Sequence, residues 1–171
     1  MNESTRTMIR DMKAGMFVET NVLLGTAYLA TAQVELFTVY NRILVMGLFF
    51  EVTTLWAGAT TLKFTWTSSE PTITVQDICA LGGSMNGFVA GARCYMVGDA
   101  YDTVANVEES AGITPFDAVP MMLGNAPTLA GVTSVGTIGQ DTGVAGTGVS
   151  AGKFGLLYIP IDPGSRAVAI L

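Results

Sequence analysis

Histidine is missing from this chain altogether. That removes the side chain that most often serves as general base near neutral pH, and the commonest ligand of transition metals. Charge is also scarce, at 13% of residues, about half the ordinary share, while 50% are hydrophobic. So few charges imply either a large core or a surface much of which is buried against neighbouring subunits. The two cysteines, Cys79 and Cys94, show no CxxC spacing and lack further soft partners, so they make a poor metal site. With nothing to indicate an oxidising compartment, buried free thiols suit them better than a disulfide. The most apolar run, ILVMGLFF (43–50), is flanked by Arg42 and Glu51 and is too short to span a bilayer. No basic residue falls between Arg93 and Lys153, where Asp99, Asp102, Glu108, Glu109, Asp117 and Asp141 all lie, and the net charge is −6. Nucleic-acid binding needs the opposite, a concentrated basic patch. The polar start MNESTRTMIRDMKAG has no apolar leader, so the expectation is a soluble protein made in the cytoplasm, with neither membrane nor nucleic acid as partner.

What is present is β-forming. At 171 residues the chain suits one domain and can bury roughly 70% of its unfolded surface without a disulfide. Residues 1–33 read as an N-terminal arm, with Met8, Ile9 and Met12 as sparse apolar points among Arg6, Arg10 and Lys13. Such an arm is ordered only when something holds it, a neighbouring subunit or its own domain. Residues 34–171 read as the β-domain. ELFTVYNRILVMGLFFEVTT (35–54) suggests a hairpin bending at Tyr40-Asn41-Arg42, since Asn tolerates the left-handed region. TTLKFTWT (60–67) alternates, with Leu62, Phe64 and Trp66 on one face. TITVQDIC, ARCYMVG, AVPMMLG, GVTSVGTIG, KFGLLYIPI and RAVAIL supply further strands, and 99–117 reads as an acidic loop. The glycine-threonine run 124–152 cannot be helical, because each Gly costs about 1 kcal/mol there relative to Ala. Many short strands without βαβ alternation predict an all-β fold, a β-sandwich or jelly roll of short antiparallel strands with an extended N-terminal arm.

Two motifs invite chemistry and fail on their surroundings. Gly148-Val149-Ser150-Ala151-Gly152 fits G-x-S-x-G, but there is no histidine to take the serine proton and no helix to follow. Gly82-Gly83-Ser84-Met85-Asn86-Gly87 lacks the GK[ST] ending of a phosphate loop. Asp99, Asp102, Glu108 and Glu109 lack EF-hand spacing and read as solvated loop acids, with calcium the open alternative. No enzyme activity, metal site or cofactor is implied. Phe49 and Phe50 are adjacent and must face opposite sides of a strand, so either both faces are covered or one ring meets another subunit. Phe49, Phe50 and Trp56 are the candidate subunit interface.

ELFTVYNRILVMGLFFEVTT, TITVQDICAL and VGTIGQDTGVAGTGVSAGKFGLLYIPIDPGSRAVAIL together resemble a family of small virion proteins of tailed bacteriophages. The resemblance spans about residues 35–171 and rests on Leu36 to Leu48, Asp77 to Ala80 and Gly136 to Gly164. The segment before Val34 and the loop 99–117 are longer than the pattern. The resemblance implies a virion component without fixing its station, and the first expectation is a capsid decoration (cement) protein, typically a homotrimer, that binds the major capsid protein and stabilises the shell. The arm residues Arg6, Met8, Ile9, Arg10, Lys13 and Phe17 would then grip the shell. The competing expectation is a head-fibre, tail-fibre or spike domain that stacks a host glycan on Trp56, Trp66 or Tyr101.

Overall fold

The computed structural model describes residues 15–24, 33–68, 74–79, 81–95, 106–108, 121–125, 134–144 and 150–170, and over these the chain is all-β. In chain order the strands are β1 (Met16–Glu19), β2 (Leu23–Leu24), β3 (Val34–Tyr40), β4 (Ile43–Thr54), β5 (Thr61–Ser68) and β6 (Thr74–Asp77). They continue with β7 (Arg93–Tyr95), β8 (Asn106–Glu108), β9 (Met121–Leu123), β10 (Val135–Val144), β11 (Ala151–Pro160) and β12 (Arg166–Ala169). The larger sheet runs β1-β11-β4-β7-β8, with β2 also on β11 and β9 also on β4; the smaller runs β12-β3-β10-β5-β6. Every pairing is antiparallel. The pairs β1·β11, β3·β10, β4·β7 and β5·β6 nest inside one another. Nesting of this kind is what a single long two-stranded ribbon gives when it wraps into a jelly-roll sandwich.

Alternation explains which side chains fill the space between the sheets. Leu62, Phe64 and Trp66 of β5 point inward and are buried. In β4 the inward residues change from odd (Ile43, Val45) to even (Leu48, Phe50, Val52), because Met46 is the extra residue of a bulge in β4: Leu157 and Tyr158 of β11 pair with Gly47 and Val45. Aromatic rings bridge the layers: Phe50 meets Trp56 edge-on at 5.3 Å and Phe154 at 4.8 Å, and Phe154 meets Phe64 of the opposite sheet at 6.0 Å. Each such pair adds about 0.5–1.5 kcal/mol beyond its buried area.

Glycine inside these strands makes room for rings. A β-carbon on Gly152 would fall within the Phe50 ring, one on Gly155 within Phe49, and one on Gly136 within Trp66. Each ring reaches over from the neighbouring strand and lies on the bare backbone.

The bend at Tyr40-Asn41-Arg42 is a corner and not the expected hairpin, because β3 lies in the smaller sheet and β4 in the larger. The two strands bury their inner faces against one core from opposite sides, which a hairpin within one sheet could not do. Asn41 takes the left-handed conformation (φ 56°). It donates its backbone N–H to the Ser134 carbonyl (2.8 Å), accepts the Ser134 N–H on Oδ1 (3.1 Å), and donates Nδ2 to the Pro163 carbonyl (3.3 Å). Beside it, the Arg42 guanidinium donates to both carboxylate oxygens of Asp162 (2.8 and 2.6 Å). Asp162 holds the Arg42 pKa above its ordinary value, and Arg42 holds the Asp162 carboxyl below the usual range. This corner ties the passage from β3 to β4 to the passage from β11 to β12.

Within the segment read as an arm, β1 and β2 are paired to β11 of the same chain. Thr20 adds two bonds, its N–H to the Phe154 carbonyl and its hydroxyl accepting the Phe154 N–H, both at 3.0 Å.

Candidate functional site

A two-layer sandwich has two outer faces, and both are ordinarily polar. The smaller sheet follows this at its centre. Thr38, Thr137 and Thr67 stand side by side across β3, β10 and β5, and the exposed Val168 of β12 and Val75 of β6 end the row. Gln33 Nε2 donates to Thr65 and Thr67 (3.0 and 2.8 Å), and Lys63 bridges Asp77 and Asp141 (2.9 and 3.4 Å). The hydrogen bond that Lys63 donates to Asp77 is the main reason the Lys63 pKa is raised.

The larger sheet does not. Phe17 of β1 lies opposite Leu157 of β11, Leu157 opposite Gly47 of β4, and Leu44 is flanked by Ile159 and Met122. The inner residues alternate with these, so Phe17, Leu44, Met46, Met122, Leu157 and Ile159 all stand on the outer side. Phe17 is 55% and Met122 57% exposed. Phe49 is the covered member of this face: Phe17 stacks on it at 6.0 Å and 11°, and the Arg93 guanidinium sits 5.3 Å from its centroid. A row of ions borders the apolar stretch, with Lys153 reaching Glu19 (3.0 Å) and Glu51 (4.0 Å), and Arg93 reaching Glu51 (2.5 Å). The register of β8 sets Glu108 opposite Arg93, so three acids and two bases fall along this border.

Comparison with protein-family models, with curated proteins and with solved structures finds no match.

The sequence-predicted residues fall unevenly on this architecture. Arg6, Met8, Ile9, Arg10 and Lys13 lie outside the described residues, as do Tyr101, Asp99, Asp102, Glu109 and Asp117. Phe17 is placed, stacked on Phe49. Of the candidate subunit interface, Phe50 and Trp56 are corrected: at 1% and 0% exposure they are core of their own domain, with no surface to offer a neighbour. The adjacent pair Phe49 and Phe50 is resolved by covering both faces, Phe50 by the core and Phe49 by Phe17 and Arg93. Trp56 and Trp66 are both buried, so neither can serve as a sugar-stacking platform. Between β6 and β9 a pocket of about 230 Å³ is lined by Trp66, Gln76, Asp77, Ile78 and residues 121–124. Its one acid, Asp77, is already paired with Lys63 (3.0 Å).

The motif residues are occupied by structural work. Ser150 is fully buried; its hydroxyl accepts the Ala57 N–H (2.9 Å) and donates to the Ala57 carbonyl (3.4 Å), pinning the β4–β5 connection. In the glycine loop, the N–H groups of Gly82, Met85 and Gly87 donate to the carbonyls of Leu62, Thr60 and Trp56, each at 2.9 Å. Those donors cannot cradle a phosphate. Both cysteines are buried free thiols. Burial pushes the Cys94 thiol up to about 12, and its Sγ contacts Met85 Sδ at 3.4 Å. Burial also raises Cys79, which accepts the Phe64 N–H at 3.3 Å. Among the described residues, no three acidic or cysteine side chains gather as a metal site, and no helix is long and apolar enough to cross a membrane.

Sequence reasoning missed Leu44, Met46, Met122, Leu157 and Ile159. The signal was present in ILVMGLFF and KFGLLYIPI, which are apolar at consecutive positions. A strand with one solvated face should alternate instead.

Proposed function

We propose that the protein is a structural component of a tailed-phage virion, a decoration or cement protein that binds the major capsid protein and stabilises the shell through extended contacts. One observation carries this reading: the described polar groups at the candidate chemical motifs are engaged in holding the fold, while the outer face of the larger sheet is apolar across neighbouring strands and exposes Phe17 and Met122. A protein so built acts by covering surface. Each added contact favours the assembled shell by mass action, and repeated copies multiply that effect. The resemblance of residues 35–171 to small phage virion proteins supports a virion component, and decoration is the station we choose for it. The N-terminal segment ahead of β1, with Arg6, Arg10 and Lys13, is assigned the grip on acidic shell surface, and Phe17 leads from it into the sheet.

Two measurements test this. Peptide counting on purified particles should find the protein in fixed proportion to the major capsid protein; a small number at the tail or one vertex would refute the decoration role. Deleting residues 1–14, which leaves β1 whole, should abolish binding to shells while the β-domain stays folded by circular dichroism. Full occupancy by the truncated protein would refute the arm assignment.

A further inference from the structure

We propose that Asn86-Gly87 is a site of spontaneous deamidation, and that docking of its loop on the β4–β5 connection holds the reaction back. Asn followed by Gly occurs once in the chain. Glycine has no side chain to hinder attack by its own peptide nitrogen on the asparagine before it. Both residues are exposed, so water and base have access to them. In the reaction the Gly87 nitrogen attacks Asn86 Cγ and closes a five-membered imide. The side-chain nitrogen leaves as ammonia, taking the Gly87 hydrogen with it. Water then opens one of the two imide C–N bonds. Breaking the bond to Cγ gives aspartate; breaking the backbone bond gives isoaspartate, in which the chain runs through the side chain.

The fold keeps apart the two atoms that must meet. The Gly87 N–H donates to the Trp56 carbonyl (2.9 Å), while Asn86 Oδ1 accepts the Gly58 N–H (3.1 Å). Nucleophile and electrophile are thus held by different partners on the β4–β5 connection. The Phe88 N–H closes a turn on the Met85 carbonyl (3.1 Å), with Gly87 at its third position and at φ 86°. That is the type II pattern, in which ψ of the second residue lies near about +120° and carries the next nitrogen away from the side chain. Core packing fixes the turn: Met85 and Phe88 are buried, and the Trp56 N–H donates to the Phe88 carbonyl (2.7 Å). Ring closure therefore waits on local release of the loop. It is also one-way. The imide lacks the hydrogen that Gly87 gives to Trp56, and isoaspartate adds a methylene between Met85 and Gly87, whose N–H groups are both anchored. Aspartate keeps the backbone length, and its carboxylate accepts the Gly58 N–H as the amide oxygen does.

The inference stands on this loop and not on the virion reading, and its test uses the full-length protein. Samples are held for days at mildly alkaline pH, folded in buffer or unfolded in urea, and the tryptic fragment between Lys63 and Arg93 is followed by mass spectrometry. Deamidation at Asn86 should be at least about tenfold slower in the folded protein. Phe88→Leu, shown folded by circular dichroism, loosens the loop's anchor and should speed the folded reaction while leaving the rate in urea unchanged. Protein deamidated in urea and refolded should melt below refolded Asn86→Asp, because the lengthened backbone and not the charge spoils the docking. Equal rates in buffer and urea overturn the proposal, and so does a folded Phe88→Leu protein no faster than wild type. No reaction in urea overturns the site itself, and equal melting of the two refolded proteins overturns the one-way step.

Discussion

Replacing Gly152 with alanine measures how tightly the rings are seated on bare backbone. The new methyl would fall inside the Phe50 ring and close to the Glu51 carbonyl. Phe50 has nowhere to go, since Trp56 and Phe154 hold it at 5.3 and 4.8 Å and it is fully buried. Overpacking of this sort costs about 1–3 kcal/mol. Against it stands the loss of unfolded-chain freedom on going from Gly to Ala, which stabilises by about 0.4–1 kcal/mol. The net expectation is a loss of about 1–2 kcal/mol, or roughly 2–8 °C in Tm for a chain of this size. Gly155→Ala meets the Phe49 side chain at its nearest contacts, whereas Gly152→Ala also meets the Glu51 backbone carbonyl, so the Gly155→Ala cost should be smaller. Gly83→Ala has nothing within 4 Å and should stabilise by about 0.4–1 kcal/mol. Urea and thermal denaturation of the three variants give the order directly. In a Phe50→Leu background the Gly152→Ala cost should shrink, and the double-mutant cycle isolates the coupling. A Gly152→Ala protein as stable as wild type would refute the seating argument.

Two further outcomes follow from polar groups in the fold. Gln140 is fully buried in β10, opposite Phe64, and both its amide atoms lack a hydrogen-bond partner; Gln140→Met should therefore stabilise by about 1–3 kcal/mol, and a thermal scan showing a lower Tm would contradict it. Asp162 has a depressed pKa in the folded state, so its pairing with Arg42 stabilises at neutral pH and loses that effect as pH falls through the lowered native value. The stability gap between wild type and Asp162→Asn, read as urea midpoints from pH 7 downward, should close in acid; a gap constant with pH would show that the charge is not what matters.

Much of the architecture was legible because alternation is local. Leu62, Phe64 and Trp66 share a face in TTLKFTWT and all prove buried. KFGLLYIPI and RAVAIL became β11 and β12. Asn41 was legible as a left-handed residue, but a left-handed residue serves a hairpin or a corner equally well. What decides between them is the partner of β3, and that partner, β10, begins far along the chain. The glycines of the late run were likewise readable as β-compatible, while their pairing with Phe50, Phe49 and Trp66 depends on strands brought together only by the fold. The outer apolar face was half visible: Phe49 beside Phe50 announced a strand covered on two sides, yet the cover, Phe17, came from a segment read as an arm.

The corner at Asn41 and Arg42 also sets a schedule for synthesis. Its partners Ser134, Asp162 and Pro163 lie 93, 120 and 122 residues further on or nearly so along the chain. The Phe154 N–H that the Thr20 hydroxyl accepts is 134 residues away. Contacts of such separation form late and slowly, because the chain must close large loops before they contribute. While the ribosome is still making β10, the inner face of β4 has no β11 to pair with and its apolar run is uncovered. Such a nascent chain is exposed to aggregation until β11 and β12 emerge, so folding of this sandwich is completed from its last strands and not from its first.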